Sequence, residues 1–310
     1  MSVFQALFPV IAIAALGYVA RHRAWISREE GDGIERIAFW FLIPCLLFLG
    51  TATADFPADL DWRYLLAFYS TVLLVYAAGM VFGKLVFGYR LRELSVFGMG
   101  GAYSNVTVLG IPITVQLLGE SAFVPMLLVI TFHNLVLYTT GTIIAGASDS
   151  MGKSLGVQLR TIVKEMMLNP ISSALLAGAA WNVLNLPTPA LFVSTLELLT
   201  RAAVPGAIFA LGAALTRYHI RGDILAALCI AVIKLVVLPL AMWQMMTRVF
   251  DIHGEWMQVA VLLCCMPVGI SVYVFSRRYE RCETAVATAI VITSLATPLA
   301  VSLVGMLILR

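Results

Sequence analysis

Charge is scarce in this 310-residue chain: Asp, Glu, Lys and Arg make up 12% of it, against 61% hydrophobic residues, whereas soluble domains carry about a quarter charged residues. So little charge cannot clothe a water-facing surface, which excludes an ordinary soluble domain and makes lipid the solvent. Cysteine is sparse too. Cys45, Cys229, Cys264, Cys265 and Cys282 show no metal-ligand spacing and mostly lie within apolar runs, so neither a zinc-type site nor a disulfide scaffold is indicated, and no metal or cofactor is expected. HExxH, GxSxG, a buried Asp pair and a phosphate-binding loop are all missing, which leaves an enzyme reading without support. The formal charge of +3 points to no nucleic-acid partner, because the placement of the basic residues has a different meaning, taken up below.

What the chain does have is apolar stretches of membrane-spanning length, about 20 residues for a hydrocarbon core of about 30 Å. They are read near 3–20, 33–50, 64–88, 95–118, 121–145, 168–186, 191–215, 224–246, 257–276 and 285–309. Without the alternation of barrel strands, all are expected to be helices, since every backbone group must be satisfied in lipid. The first residues carry neither a basic n-region nor a small-residue cleavage site, so the first apolar run is expected to stay as a span.

The connections after spans 1, 3, 5, 7 and 9 hold fifteen basic residues: Arg21, Arg23, Arg28 and Arg36; Lys84, Arg90 and Arg92; Lys153, Arg160 and Lys164; Arg217 and Arg221; and Arg277, Arg278 and Arg281. The other side has only Arg63, Arg248 and Arg310, with Asp55, Asp59, Asp61, Glu120, Asp251 and Glu255 gathered there. The positive-inside rule then predicts a multi-pass protein of a cell (inner) membrane with both termini outside the cytoplasm.

An odd number of spans per half means that the second half enters from the opposite face, the inverted topology common among carriers. Internal spacing supports two such halves. Pro9 precedes Gly17 by the same distance as Pro170 precedes Gly178, and Pro9 to Pro44 matches Pro170 to Pro205. The expected organisation is all-α: a first five-helix repeat at 1–145, a cytoplasmic linker at 146–167 and a second, inverted repeat at 168–310. In the linker, Leu155, Leu159, Ile162, Val163 and Met166 fit either an interfacial amphipathic helix or an ordinary tether.

Spans 4 and 9 read "GGAYSNVTVLGIPI" and "LLCCMPVGISVYVF", so both carry a Gly and Pro interruption deep in the membrane. Paired interruptions at corresponding places point to a transporter's binding site. Pro112 and Pro267 each remove a helix hydrogen bond, to the carbonyls of Val108 and Leu263 respectively. Half-helix N-termini at such breaks suit an anion, and freed carbonyls suit a cation. The candidate substrate-binding residues are Asn105, Gly110, Pro112, Pro267, Gly269, Ser271 and Lys234, with Tyr273, His133 and Arg201 in a second tier.

The motifs "NVTVLGIP", "MPVGISVYVFSRRYE", "IPCLLF" and "VPGAIFALGAAL" resemble those of the auxin efflux carrier family, which includes plant PIN proteins and bacterial malonate-type carriers, and the likeness runs over nearly the whole chain. It implies that spans 4 and 9 cross at their prolines and form an elevator-like transport unit with spans 3, 5, 8 and 10, that spans 1, 2, 6 and 7 make the scaffold and a homodimer interface, and that Asn105 faces the substrate. Bacterial relatives often have Asn where this chain has Ser271, and the long central loop of many plant members is absent here.

The buried charges narrow the chemistry. Lys234 sits about 15 Å into span 8, where an unpaired ammonium is costly. No span carries Asp or Glu at its middle, so Lys234 is expected either to bond carbonyls freed at a helix break or to attract an anionic substrate. His133, beside Asn134, could titrate or could serve as a hydrogen-bonded packing residue. Glu197, four residues before Arg201, suits a local ion pair in preference to substrate binding by Arg201. The function expected is carriage of a small organic anion, such as a mono- or dicarboxylate, across the bilayer. A channel or a membrane receptor for a small organic acid is the alternative; channels usually show rings of charge or carbonyl filters instead of paired broken helices.

Overall fold

The computed structural model describes residues 3–54, 61–146, 160, 164, 168–217 and 222–308. Helices make up its regular structure: α1 (Val3–His22), α2 (Arg28–Ala52), α3 (Arg63–Phe87), α4 (Leu91–Ala102), α5 (Val106–Leu118), α6 (Phe123–Gly146), α7 (Pro170–Val183), α8 (Ala190–Leu215), α9 (Ile224–Val249), α10 (Gly254–Cys264), α11 (Ile270–Tyr279) and α12 (Glu283–Ile308). Helices α2, α3, α6, α8, α9 and α12 are long and apolar enough to cross a bilayer; α1, α5 and α10 are shorter apolar helices. The residues proposed for an amphipathic linker helix lie outside the described residues.

The chain forms two compact units. The first is drawn from Met1–Leu60, Thr107–Thr131 and Lys164–Arg217, and the second from Asp61–Val106, Phe132–Val163 and Tyr218–Arg310. Each takes segments from both halves of the sequence. Compact units and internal repeats divide a chain on different grounds, so this partition and the expected halves are separate descriptions.

In the first unit, packing depends on glycines that let helix backbones touch. A Cβ on Gly17 of α1 would run into the Phe209 carbonyl of α8, and a Cβ on Gly178 of α7 would run into the Phe48 carbonyl of α2. Gly17 and Gly178 lie 161 residues apart, as do Phe48 and Phe209. The same contact therefore occurs twice, between α1 and α8 and between α7 and α2. Small residues at helix contacts are expected in lipid, where close van der Waals packing has to replace the hydrophobic effect. Asn182 of α7 also donates to the carbonyls of Ala52 and Ala54 at 3.0 and 2.9 Å, satisfying acceptors left over at the end of α2.

The second unit has the more polar interior. Tyr76 of α3 bonds the Ser95 hydroxyl and carbonyl at 2.8 and 2.9 Å, and Ser95 Oγ donates to the Gly141 carbonyl at 2.9 Å. These bonds tie α3, α4 and α6 together. Helix α9 contains π-turns at Ile233–Val237 and Met245–Val249, and the first of these carries Lys234. Its neighbours Ile230 and Ile233 lie against Gly100 and Gly101 at the end of α4.

Candidate functional site

Both interrupted spans are broken, and the breaks meet inside the second unit. Span 4 unwinds over Tyr103–Asn105, between α4 and α5, and span 9 unwinds between α10 and α11. The two stretches run antiparallel and pair through Ser104 and Val268. The Asn105 N–H donates to the Pro267 carbonyl at 2.8 Å, and the Gly269 N–H donates to the Tyr103 carbonyl at 3.1 Å. Two half-helices thus supply each other with part of what unwinding took away.

In span 4 the unwinding falls ahead of the proline. Pro112 lies inside α5, two residues after a π-turn over Val106–Gly110 that includes Gly110, so the helix carries the proline with a local distortion and does not unwind at it. In span 9, Pro267 lies in the break itself, and the Leu263 carbonyl is taken by the Met266 N–H at 3.4 Å.

Four further backbone groups at the breaks are met by side chains from the neighbouring helices. His133 of α6 accepts the Ser104 N–H at Nε2, 3.2 Å. Thr293 of α12 accepts the Val268 N–H at 3.1 Å. Lys234 of α9, fully buried, donates to the Cys264 carbonyl at 2.6 Å, and Thr297 of α12 reaches the Cys265 carbonyl at 3.4 Å. With Nε2 accepting, a neutral His133 carries its proton on Nδ1. That nitrogen and Ser104 Oγ are both buried with no partner. Unsatisfied buried polar atoms are uncommon, and two of them sit at one break.

Of the residues expected at the site, the second unit holds Asn105 (8% exposed), His133, Lys234, Pro267, Gly269, Ser271 and Tyr273. Gly269 has a structural reason for being glycine, since a Cβ there would stand 2.5 Å from the Tyr103 ring. The Tyr103 hydroxyl donates to Asn134 Oδ1 at 3.1 Å. Ser271 and Tyr273 are half-buried on α11. Gly110, Pro112 and Arg201 belong to the first unit. Arg201 is exposed on α8, as is Glu197, and the expected ion pair between them does not form. Sequence reasoning missed Ser104, Thr293 and Thr297. For the two threonines a signal existed: spaced four apart, they share a face of α12.

The sequence matches the family described as "Membrane transport protein" over residues 2–304. It is 24% identical over 289 residues to a candidate malonate transporter of Rhizobium meliloti (strain 1021), covering 93% of this chain and 90% of that protein. An uncharacterized transporter of Methanothermobacter thermautotrophicus is 24% identical over 269 residues, 85% of this chain and 84% of the other. Auxin efflux carrier component 5 of Arabidopsis thaliana is 21% identical over 326 aligned positions, covering 93% and 92%.

Proposed function

We propose, from the premise that this chain belongs to the auxin efflux carrier family of membrane transport proteins and is a multi-pass transporter with no enzymatic role, that it carries small organic anions such as mono- or dicarboxylates, bound where the two unwound segments pair. One observation carries this reading. Helix α11 starts at the paired stretch, at Ile270, so a positive dipole end begins at the break where Ser104 Oγ and His133 Nδ1 are buried without a partner. Anions are held at helix N-termini by this combination of donors and dipole. Asn105 adds amide donors at the same place. The malonate named for the Rhizobium relative makes a short dicarboxylate the first substrate to try.

Alternating access of the elevator type is supported by the way spans 3, 8, 9 and 10 fall in the second unit and spans 1, 2, 6 and 7 in the first, although spans 4 and 5, expected in the moving part, are divided between the two units. The repeated glycine contact, offset by 161 residues in both partners, supports two inverted five-helix repeats and a ten-span topology. The charge bias of the loops supports both termini outside the cytoplasm, in a cell (inner) membrane. A homodimer that covers α8 is supported by Glu197 and Arg201. Both are exposed about 10–17 Å into that helix, where an uncovered charge facing lipid costs about 2.5–3.5 kcal/mol.

Counterflow in proteoliposomes tests the central claim. Unlabelled malonate inside is expected to accelerate saturable uptake of labelled malonate, and Asn105→Ala is expected to lower that uptake about a hundredfold with the protein still folded in the membrane. Unsaturable current without counterflow would make the protein a channel, and normal flux in Asn105→Ala would remove the site.

A further inference from the structure

Helices α4 and α11 run from the two breaks to a common place on the second unit. Their inner ends meet where the Gly269 N–H donates to the Tyr103 carbonyl. Their far ends line one cavity of about 210 Å³, formed by Arg90, Leu91, Arg92, Glu93 and Arg281. Both far ends are tightly turned. Gly88, in the left-handed region at φ 66°, caps α3 and leaves only Tyr89 and Arg90 before α4 begins, and the Tyr89 hydroxyl bonds Asp223 Oδ2 at 3.2 Å. Glu280, also left-handed at φ 53°, ends α11. Arg281 follows it, with its N–H on the Ser276 carbonyl at 3.1 Å and its Nη1 on the Glu280 carbonyl at 2.9 Å.

Three guanidiniums line this cavity against one carboxylate, and that carboxylate is engaged. One oxygen of Glu93 accepts the Arg90 N–H at 2.7 Å, closing the first turn of α4, and the other stands 3.7 Å from Arg281 Nε. At other helix ends the chain matches its arginines with acids. Arg217 donates to both Asp32 and Glu35, and Arg63 forks onto Asp61 at 2.7–3.0 Å. The positive dipole end of α4 adds to the excess at the cavity, and guanidinium forks match the oxygens of a phosphate group. The surroundings are apolar: Leu85 and Val86 in the last turn of α3 are 79% and 51% exposed, and Leu91 in the lining is 37% exposed. A phospholipid can set its phosphate among such guanidiniums and its chains along such a surface. A soluble phosphate would gain nothing from Leu85, Val86 and Leu91.

We propose that this cavity binds the headgroup phosphate of an anionic phospholipid, with Arg90 and Arg281 as its principal contacts. The bound lipid joins the start of α4 to the end of α11 and so braces the paired break at their inner ends. The site is independent of what the protein carries, so it stands or falls apart from the anion-carrier reading.

Thermal melting in a neutral detergent tests the site with no substrate present. Dioctanoyl phosphatidylglycerol is expected to raise the melting temperature saturably, by about 3 °C or more, and dioctanoyl phosphatidylcholine or inorganic phosphate at equal concentration by less than about 1 °C. The double variant Arg90→Gln/Arg281→Gln is expected to lose about two thirds or more of the phosphatidylglycerol shift. Arg277→Gln/Arg278→Gln, which removes the same charge from the last turn of α11 outside the cavity, is expected to keep it. The single variants Arg90→Gln and Arg281→Gln guard against misfolding of the double, and each is expected to raise the half-saturating lipid concentration about threefold or more. In hydrogen exchange, phosphatidylglycerol is expected to slow the Ser104 and Asn105 amides about threefold or more in wild-type protein and not in the double variant. An unchanged shift in the Arg90 and Arg281 variants overturns the proposal, as does an equal loss in Arg277→Gln/Arg278→Gln, which would reduce the effect to general surface charge. A full shift with inorganic phosphate alone overturns the lipid assignment in favour of a soluble anion, and exchange at Ser104 and Asn105 that ignores the lipid overturns the brace.

Discussion

The break between α4 and α5 and the break between α10 and α11 pose the same problem and receive partly different answers. In each, an unwound residue at the centre of the pairing needs an acceptor for its N–H, and a side chain from the span that follows supplies it: His133 for Ser104, Thr293 for Val268. The difference lies on the carbonyl side. Cys264 is met by a buried ammonium, whereas the buried Thr71 hydroxyl of α3 bonds its own helix at the Ala67 carbonyl, 2.7 Å away. One break is neutral and keeps two polar atoms without partners; the other is charged, with the Cys264 carbonyl taken by the ammonium and the Cys265 carbonyl met only by a long contact from Thr297. On the proposed function, the first break would receive a ligand's polar groups, while the second holds a fixed charge against its own backbone.

The strongest test of that contrast is His133→Ala. It strips the acceptor from a buried N–H, a loss of about 1–3 kcal/mol, and it also removes a ring packed at 4.8 Å from the Tyr103 ring and 6.1 Å from the Phe68 ring, a cavity whose cost adds to the first. Together these predict about 3–5 kcal/mol off the unfolding free energy by denaturant titration in micelles. Thr293→Val should do less, about 1–3 kcal/mol, because shape is kept and what is lost is the acceptor for Val268 together with the hydroxyl's bond to Ala289. A Thr293→Val effect as large as that of His133→Ala would mean that ring packing contributes nothing to the neutral break.

Tyr103→Phe comes next. The ring that lies against Gly269 and His133 remains, and only the hydroxyl's bond to Asn134 goes, which predicts about 0.5–1.5 kcal/mol. The same variant sharpens the comparison through transport. If the neutral break is the ligand's side, malonate flux should fall more in Tyr103→Phe than in Thr293→Val, although the order of stability is the reverse.

Much of this arrangement could be read from the sequence, and the part that could not has a physical reason. Apolar length, the loop charges and the matched proline and glycine spacings carry long-range information because lipid punishes any unsatisfied backbone, so interruptions stand out. Gly17 and Gly178 were legible as a spacing, and the structure supplies its meaning as one contact made twice. The place of unwinding in span 4 was not legible. Pro112 marks the span as irregular, but it lies inside α5 behind a π-turn, and the stretch that is unwound, Tyr103–Asn105, pairs with Pro267–Gly269, 160 or so residues away. Ser104, Thr293 and Thr297 were missed because short hydroxyl residues commonly bond their own helix in a membrane, as Thr293 and Thr297 also do to Ala289 and Thr293.

That last habit sets the smallest prediction and the most discriminating one. Thr293 and Thr297 are both buried, both donate to a carbonyl one turn earlier at 2.7 Å, and both touch the α10 break. They differ in what they give it. Thr293 accepts an N–H that has no other acceptor, at 3.1 Å, whereas Thr297 offers Cys265 a contact of 3.4 Å, at the weak end of hydrogen-bond distances, from a hydroxyl already committed elsewhere. Thr297→Val should therefore cost less than about 0.5 kcal/mol, against about 1–3 kcal/mol for Thr293→Val. Equal losses in the two variants would show that bonding within α12 sets both effects and that the backbone of the break does not depend on Thr293, which would remove the likeness between His133 and Thr293 on which the comparison of the two breaks rests.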